Sequence, residues 1–153
     1  MKLWRITRAA YVQSAWGGDG GLYAGGRWHE KGVRIVYAAE NPATCALEML
    51  VHLSRNVMPD DLMLCAAEVP EQDIATLNPA LLPDDWAVYP PSDTTKQLGL
   101  NWLISGTSPG LRVPSAVAPD SFNILLNPEH PSASGIKPCD AKPWRPDPRL
   151  FAP

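Results

Sequence analysis

The 153-residue sequence has few cysteines, no run of basic residues and no long hydrophobic stretch. Its three cysteines, Cys45, Cys65 and Cys139, are odd in number and show no CxxC spacing, which argues against a disulfide framework and a zinc site. No apolar stretch approaches the roughly 20 residues that a membrane-spanning helix needs, and the first residues lack the apolar core of a secretion signal. We therefore expect a cytoplasmic protein that is neither exported nor associated with a membrane.

Charge of either sign is sparse and nearly balanced. Thirteen Lys and Arg residues stand against sixteen Asp and Glu residues, which gives a formal net charge of −3. A protein that binds nucleic acid through its phosphates needs a basic surface, so direct nucleic-acid binding is disfavoured. A local site for a small anion remains compatible with this composition.

Several common catalytic motifs are also missing. The glycine-rich segment 16–21 lacks the GxGxxG register, and the chain contains no P-loop sequence. The three histidines, His29, His52 and His130, show no HExxH spacing and are expected to be surface or loop residues. No serine lies in a GxSxG elbow. A Rossmann domain, a P-loop NTPase, a metal site and a serine hydrolase are therefore all disfavoured.

The pattern of apolar residues predicts a single α+β domain over residues 1–153. Short segments rich in β-branched and apolar residues predict strands over 3–7, 33–39, 62–69, 111–117 and 122–126. Helices are predicted over 43–53 and 94–105, and the glycine-dense segment 17–26 is expected to be a loop. Prolines cluster in the tail, so about 138–153 should form an extended strap or a short closing strand.

The predicted helix over 43–53 has the strongest local signals. Asn41 followed by Pro42 is a typical N-cap and first-turn pair. A step of 100° per residue spreads apolar side chains around most of this helix. The remaining positions form one narrow polar stripe, made of Thr44, Glu48, His52 and Arg55. Glu48 is therefore an acidic residue on an otherwise apolar helix.

Four ordered segments resemble a known family. They are Gly25-Gly26-Arg27-Trp28, Tyr37 on a predicted strand, Glu48 within LEMLVHL, and Ser115 within VPSAV. Asn123 and the turn sequence NPEHP follow in the same order. This pattern is similar to the RES domain, a family named for its arginine, glutamate and serine. The resemblance extends from LWRI near the start of the chain to DPRLF near its end.

The resemblance implies a fold like that of the ADP-ribosyltransferases, with small twisted sheets flanked by helices. It also implies the toxin of a bacterial toxin–antitoxin pair, which takes NAD⁺ as a substrate and cleaves its nicotinamide–ribose bond. The catalytic residues would be Arg27, Glu48 and Ser115. Arg5, Arg27, Tyr37, Ser115 and Asn123 would contact the substrate. No prosthetic group is implied, and the partner would be an Xre-like antitoxin that covers the active site.

Alternatives remain open at this point. The ribosyl acceptor could be inorganic phosphate or water, which we favour, or a protein side chain, as in a protein ADP-ribosyltransferase. A non-enzymatic module that binds a nucleotide or a partner is the alternative from another class. The residues themselves also have ordinary interpretations: Glu48 as a solvated helix residue, Tyr37 as a core tyrosine and Ser115 as a turn serine.

Overall fold

Eight short strands, three α-helices and several short 3-10 helices make up the regular structure in the described part of the chain. The structure is a computed structural model that describes residues 1–53 and 58–151. The helices are α1 (Gly20–Tyr23), α2 (Pro42–Leu50) and α3 (Asp93–Ser105). The strands are β1 (Lys2–Arg8), β2 (Val36–Ala39), β3 (Leu62–Glu68), β4 (Ile74–Thr76), β5 (Gly110–Pro114), β6 (Phe122–Leu126), β7 (Lys137–Pro138) and β8 (Lys142–Pro143).

The strands form one sheet in the order β4-β5-β6-β2-β1-β3-β7, and β8 also pairs with β3. Only β4 and β5 pair in parallel; the other described pairs are antiparallel. In the described part of the chain, β1 and β2 meet at the single residue pair Trp4 and Ala39, so this junction joins two larger halves of the sheet. Helices combined with a mostly antiparallel sheet confirm the predicted α+β class.

Strand register decides which residues share a face of the sheet. Trp4 pairs with Ala39, and Ala39 pairs with Asn123, so these three side chains lie on one face. α2 packs on this face, where its Cys45 contacts Ile6 and Ala39. α3 packs on the same face through Trp102, which belongs to a buried cluster with Trp28, Leu111 and Leu125. Both longer helices therefore cover the face that carries Asn123.

α2 begins as predicted but presents a different face to solvent. The Asn41 side chain accepts a hydrogen bond from the Thr44 N–H at 2.8 Å. The predicted polar stripe is not uniformly solvated, because Thr44 is 3% exposed and Glu48 is half-buried, whereas His52 is exposed and the apolar Leu47 is 44% exposed. The polar side chains turn toward the sheet because Glu48 finds hydrogen-bond partners there. Arg55, the last member of the predicted stripe, lies outside the described residues.

Two predicted strands are shorter than the apolar pattern indicates. The strand expected over 33–39 pairs only from Val36, because the Ile35 N–H donates to the Gly18 carbonyl oxygen instead of a neighbouring strand. The strand expected over 111–117 ends at Pro114, because the chain turns back and the Ser115 N–H donates to the Ser121 carbonyl oxygen. The segment 17–26, expected to be a loop, contains the short helix α1.

The proline-rich tail adds the short strands β7 and β8 beside β3. β7 pairs with the end of β3 at Ala67 and Pro138, and β8 pairs with its beginning at Met63 and Pro143, so the proline-rich tail runs along β3.

Within residues 1–53 and 58–151, no helix has the length and apolar character needed to cross a bilayer. Cys45 is a free, buried thiol whose pKa is raised to about 12 by desolvation.

Candidate functional site

The Glu48 carboxylate is held by two polar side chains from distant parts of the chain. The Ser115 hydroxyl donates to Glu48 Oε1 at 2.7 Å, and the Asn123 amide Nδ2 donates to the same oxygen at 2.5 Å. Ser115 is 6% exposed and Asn123 is 8% exposed, whereas Glu48 is half-buried. A carboxylate fixed by neutral donors keeps its negative charge uncompensated by a cation at contact distance. Such a group can stabilise a positive charge that develops next to it.

Ser115 is oriented by the turn that follows β5. Its hydroxyl oxygen accepts hydrogen bonds from the Val117 N–H at 3.2 Å and the Ala118 N–H at 3.0 Å. Because the oxygen is occupied as an acceptor on the turn side, its own hydrogen points to Glu48. The turn therefore fixes a hydroxyl donor beneath α2.

Tyr37 on β2 joins the site through its hydroxyl group. The Trp28 N–H donates to Tyr37 Oη at 3.1 Å, and His29 Nδ1 lies 2.9 Å from the same oxygen. His29 Nε2 lies 3.0 Å from the Ala24 carbonyl oxygen, which can only accept, so Nε2 carries the ring hydrogen. Desolvation lowers the pKa of His29, which favours the neutral ring. Nδ1 is then an acceptor, and the Tyr37 hydroxyl donates to it.

Arg27 lies between the Tyr37 network and the segment 86–88. Its Nη1 donates to the carbonyl oxygens of Trp86 at 2.5 Å and Val88 at 3.0 Å, and its Nη2 donates to that of Ala87 at 3.3 Å. Desolvation lowers the pKa of Arg27, and the negative charge of Glu48 opposes this shift. Three backbone carbonyl oxygens hold the Arg27 guanidinium in place.

Arg5, the remaining predicted substrate contact, is not brought to this cluster. Its neighbour Trp4 lies on the face that carries Asn123, so strand alternation directs Arg5 to the opposite face. There its Nη1 donates to the Ala15 carbonyl oxygen at 2.6 Å, and its buried Nε has no hydrogen-bond partner among the described residues. The role of Arg5 as a second contact to a substrate phosphate stays a prediction; in this structure Arg5 is a half-buried arginine that bonds the segment following β1.

Two features of the site were missed by the sequence. His29 lies in a loop, as one of the two expected settings, but it is only 4% exposed and is bonded to Tyr37. The segment 86–88 was assigned no role, although Trp86 stacks on Trp28 with ring centroids 6.3 Å apart. Both depend on contacts between separate segments, for which local sequence patterns carry no signal. The proximity of His29 to Arg27 along the chain is the one hint that was available.

The concave parts of the surface lie away from the Glu48 contacts. Two hollows of about 430 Å³ and 440 Å³ lie elsewhere, one beside Met1 and Glu68 and one between Val33 and α3, and both are open to solvent. In the described ranges, no group of three or more His, Cys, Asp or Glu side chains is placed to hold a metal ion. We therefore locate the candidate site by the polar contacts around Glu48 and not by the shape of the surface.

Comparisons of the sequence with a family model and with known proteins indicate the same family. The model of the RES domain matches residues 2–147. A protein named Toxin Res from Photorhabdus laumondii is 41% identical over 128 residues, which cover 84% of this chain and 82% of that protein. A Prs ADP-ribosylating toxin from Sphingobium sp. is 38% identical over 153 residues, which cover 97% of this chain and 95% of that protein.

The fold has a solved counterpart. A chain in the crystal structure of the MbcT-MbcA toxin-antitoxin complex of M. tuberculosis aligns with a TM-score of 0.76. The alignment covers 98% of this chain and 86% of that chain, at 16% sequence identity. At this identity the likeness establishes the fold alone.

Proposed function

The chain belongs to the RES domain family, and on this premise we propose that it is a toxin that cleaves the nicotinamide–ribose bond of NAD⁺. The observation that carries the proposal is the Glu48 carboxylate, held by Ser115 and Asn123, and the Arg27 guanidinium supplies the positive charge. This arrangement combines a fixed negative charge with a cation that suits phosphate oxygens.

The chemistry of NAD⁺ fits a single fixed carboxylate. Nicotinamide is bound to the ribose as a cationic pyridinium and leaves as a neutral base, so no general acid is needed to protonate it. As the bond breaks, positive charge develops on the ribose, and a nearby carboxylate interacts more strongly with the transition state than with the substrate. We assign this role to Glu48. Its two described donors both bind Oε1, which leaves Oε2 to face the ribose.

Arg27 is the candidate contact for the pyrophosphate of NAD⁺. Its guanidinium presents a planar fork that matches two phosphate oxygens. In the free protein the fork is satisfied by the carbonyl oxygens of residues 86–88. Hydrogen bonds to charged phosphate oxygens are stronger than those to neutral carbonyl oxygens, so binding would exchange one set for the other. The Tyr37 ring and the Ser115 hydroxyl would orient the nicotinamide half.

The proposal covers two reactions, which differ in the group that accepts the ribosyl moiety. Transfer to phosphate or water would degrade NAD⁺, and this is the reaction that we favour. Transfer to a protein side chain is the second candidate, and the Sphingobium relative named as a Prs ADP-ribosylating toxin supports it. A non-enzymatic nucleotide-binding or partner-binding module is the alternative from a different class, for which NAD⁺ mixed with the protein stays intact.

One experiment separates these alternatives. Purified protein is incubated with NAD⁺ in buffers with and without inorganic phosphate, and the products are identified by chromatography and mass spectrometry. Nicotinamide release that depends on phosphate indicates a phosphorylase, and release without phosphate indicates a glycohydrolase. Release only after addition of a protein extract, with a mass increase on an extract protein, indicates an ADP-ribosyltransferase. Intact NAD⁺ under all three conditions contradicts the proposal.

A toxin of this family also needs an inhibitor in its own host. The structural neighbour was crystallised as a toxin–antitoxin complex, and we propose an Xre-like antitoxin that covers the Glu48 site of this chain. Co-expression with the adjacent gene product should give a tight complex that no longer cleaves NAD⁺. A complex that cleaves NAD⁺ at the rate of the free protein would rule out inhibition by occlusion.

A further inference from the structure

The loop that carries Arg27 is closed on itself by one hydrogen bond and tied to β2 by another. Before it, the Gly26 N–H donates to the His29 carbonyl oxygen at 3.0 Å, and the two residues form an isolated β-bridge. After it, the Trp28 N–H donates to Tyr37 Oη at 3.1 Å. A Cβ added at Gly26 would lie 2.8 Å from Tyr37 Oη, so only glycine allows this approach. The backbone of Arg27 is therefore positioned by the Tyr37 hydroxyl.

The position of that hydroxyl is fixed in turn by His29. A phenol can rotate its O–H bond about the C–O axis, and it places the hydrogen toward the best acceptor. The His29 Nδ1 atom is that acceptor at 2.9 Å, while Nε2–H donates to the Ala24 carbonyl oxygen at 3.0 Å. With its hydrogen directed to His29, the Tyr37 oxygen presents a lone pair to the Trp28 N–H. The three groups form one directional chain of hydrogen bonds.

We propose that His29 is a positioning residue, which orients the Tyr37 hydroxyl through Nδ1 and thereby holds Arg27 in place to bind the pyrophosphate of the substrate. This inference rests on the proposed cleavage of NAD⁺. We assign His29 no contact with the substrate or with the reacting atoms. It is buried beside the site, and neither of its ring nitrogens is free, because Tyr37 and Ala24 occupy them.

Two substitutions separate the bond to Tyr37 from the bond to Ala24. In His29→Asn, the amide oxygen lies the same number of bonds from Cα as Nδ1 and can accept from Tyr37. In His29→Gln, the amide nitrogen takes the place of Nε2 and can donate to Ala24, but the acceptor for Tyr37 is lost. His130→Gln is the matched control for loss of a histidine, since the His130 ring lies 3.0 Å from the Gly106 carbonyl oxygen, away from the site.

The readout is the kinetics of nicotinamide release from NAD⁺. Because Arg27 would bind the pyrophosphate equally in the ground state and the transition state, its displacement should raise KM and leave kcat within about twofold. We expect His29→Gln to raise KM roughly tenfold, as one hydrogen bond can supply, and His29→Asn to recover most of this loss. In an Arg27→Ala background, His29→Gln should raise KM no further.

Failure of the inference about His29 can be distinguished from failure of the proposed function. Equal KM values for His29→Gln and the wild type, an equal loss in His29→Gln and His29→Asn, or an undiminished effect in the Arg27→Ala background would each overturn the inference while leaving NAD⁺ cleavage intact. If the wild type does not cleave NAD⁺, the proposed function fails, and hydrogen exchange of the Trp28 amide decides on the positioning. Faster exchange in His29→Gln than in His29→Asn supports it, and equal exchange overturns it.

Discussion

Ser115 donates its hydroxyl hydrogen to the Glu48 carboxylate over 2.7 Å, although 67 positions separate the two residues in the chain. The bond links α2 to the turn after β5. It also explains why Glu48 faces the sheet from a helix whose Leu47 remains 44% exposed. The polar contacts of Glu48 and the packing of Cys45 against the core together fix the rotation of α2.

Replacement of Ser115 by Ala should reduce both stability and activity. The substitution removes a donor to Glu48 and leaves the Val117 and Ala118 N–H groups without their side-chain acceptor. Of the two groups only the Ala118 N–H is buried, and one buried polar group left unpaired costs about 1–3 kcal/mol, so the free energy of unfolding should fall by an amount in that range. Denaturant titration measures the loss, and Ser115→Thr, which keeps the hydroxyl, is the control. Unchanged stability and kcat in Ser115→Ala would show that the bond is incidental.

Replacement of Arg27 by Lys should weaken the capture of NAD⁺. Lys keeps the positive charge but cannot offer a fork to two phosphate oxygens or span the three carbonyl oxygens of residues 86–88. We expect kcat/KM for NAD⁺ to fall roughly tenfold or more, mainly through KM. Steady-state kinetics on a variant of unchanged melting temperature measures this. Wild-type kinetics in Arg27→Lys would remove Arg27 from the binding site.

Binding of NAD⁺ should displace the segment 86–88, because the Arg27 guanidinium cannot hold phosphate oxygens and all three carbonyl oxygens together. Trp86, which stacks on Trp28, should report this as a change in fluorescence. The titration uses Glu48→Gln protein, so that NAD⁺ stays intact. Trp86→Phe should abolish the change, whereas Trp144→Phe, which alters a tryptophan packed against a different part of the core, should preserve it. Saturable binding with constant fluorescence would show that the segment stays in place.

Acid should destabilise the wild type through His29. Desolvation lowers the pKa of His29 in the folded protein below its ordinary value of 6.5, so the unfolded chain takes up a proton more readily. Stability is therefore unaffected above about pH 6.5 and falls as pH decreases toward the lowered pKa. The melting temperature of His29→Asn should decline less than that of the wild type between pH 7.5 and pH 5. Parallel profiles would contradict a buried neutral His29.

The sequence predicts the local structure better than it predicts the site. The Asn41 cap and the bounds of β6 follow from short-range patterns and are found in the structure. The placement of Arg5 on the other face of the sheet depends on strand register, and the burial of His29 depends on packing against Tyr37. Neither relationship is encoded by spacing within one segment. The family motif indicates which residues matter, whereas the hydrogen bonds between segments can be read only from the structure.

The role of Glu48 as an electrostatic stabiliser is tested most directly by the kcat of Glu48→Gln. Glutamine can accept the bonds from Ser115 and Asn123 on its amide oxygen, so the variant removes the charge and keeps the contacts. A unit charge pair about 4 Å apart at an effective dielectric of about 20 is worth about 4 kcal/mol, or roughly a thousandfold in rate. We predict a roughly thousandfold fall in the kcat of nicotinamide release, with KM changed only a few-fold, in a protein that remains folded. A folded Glu48→Gln protein with near wild-type kcat would contradict the assignment.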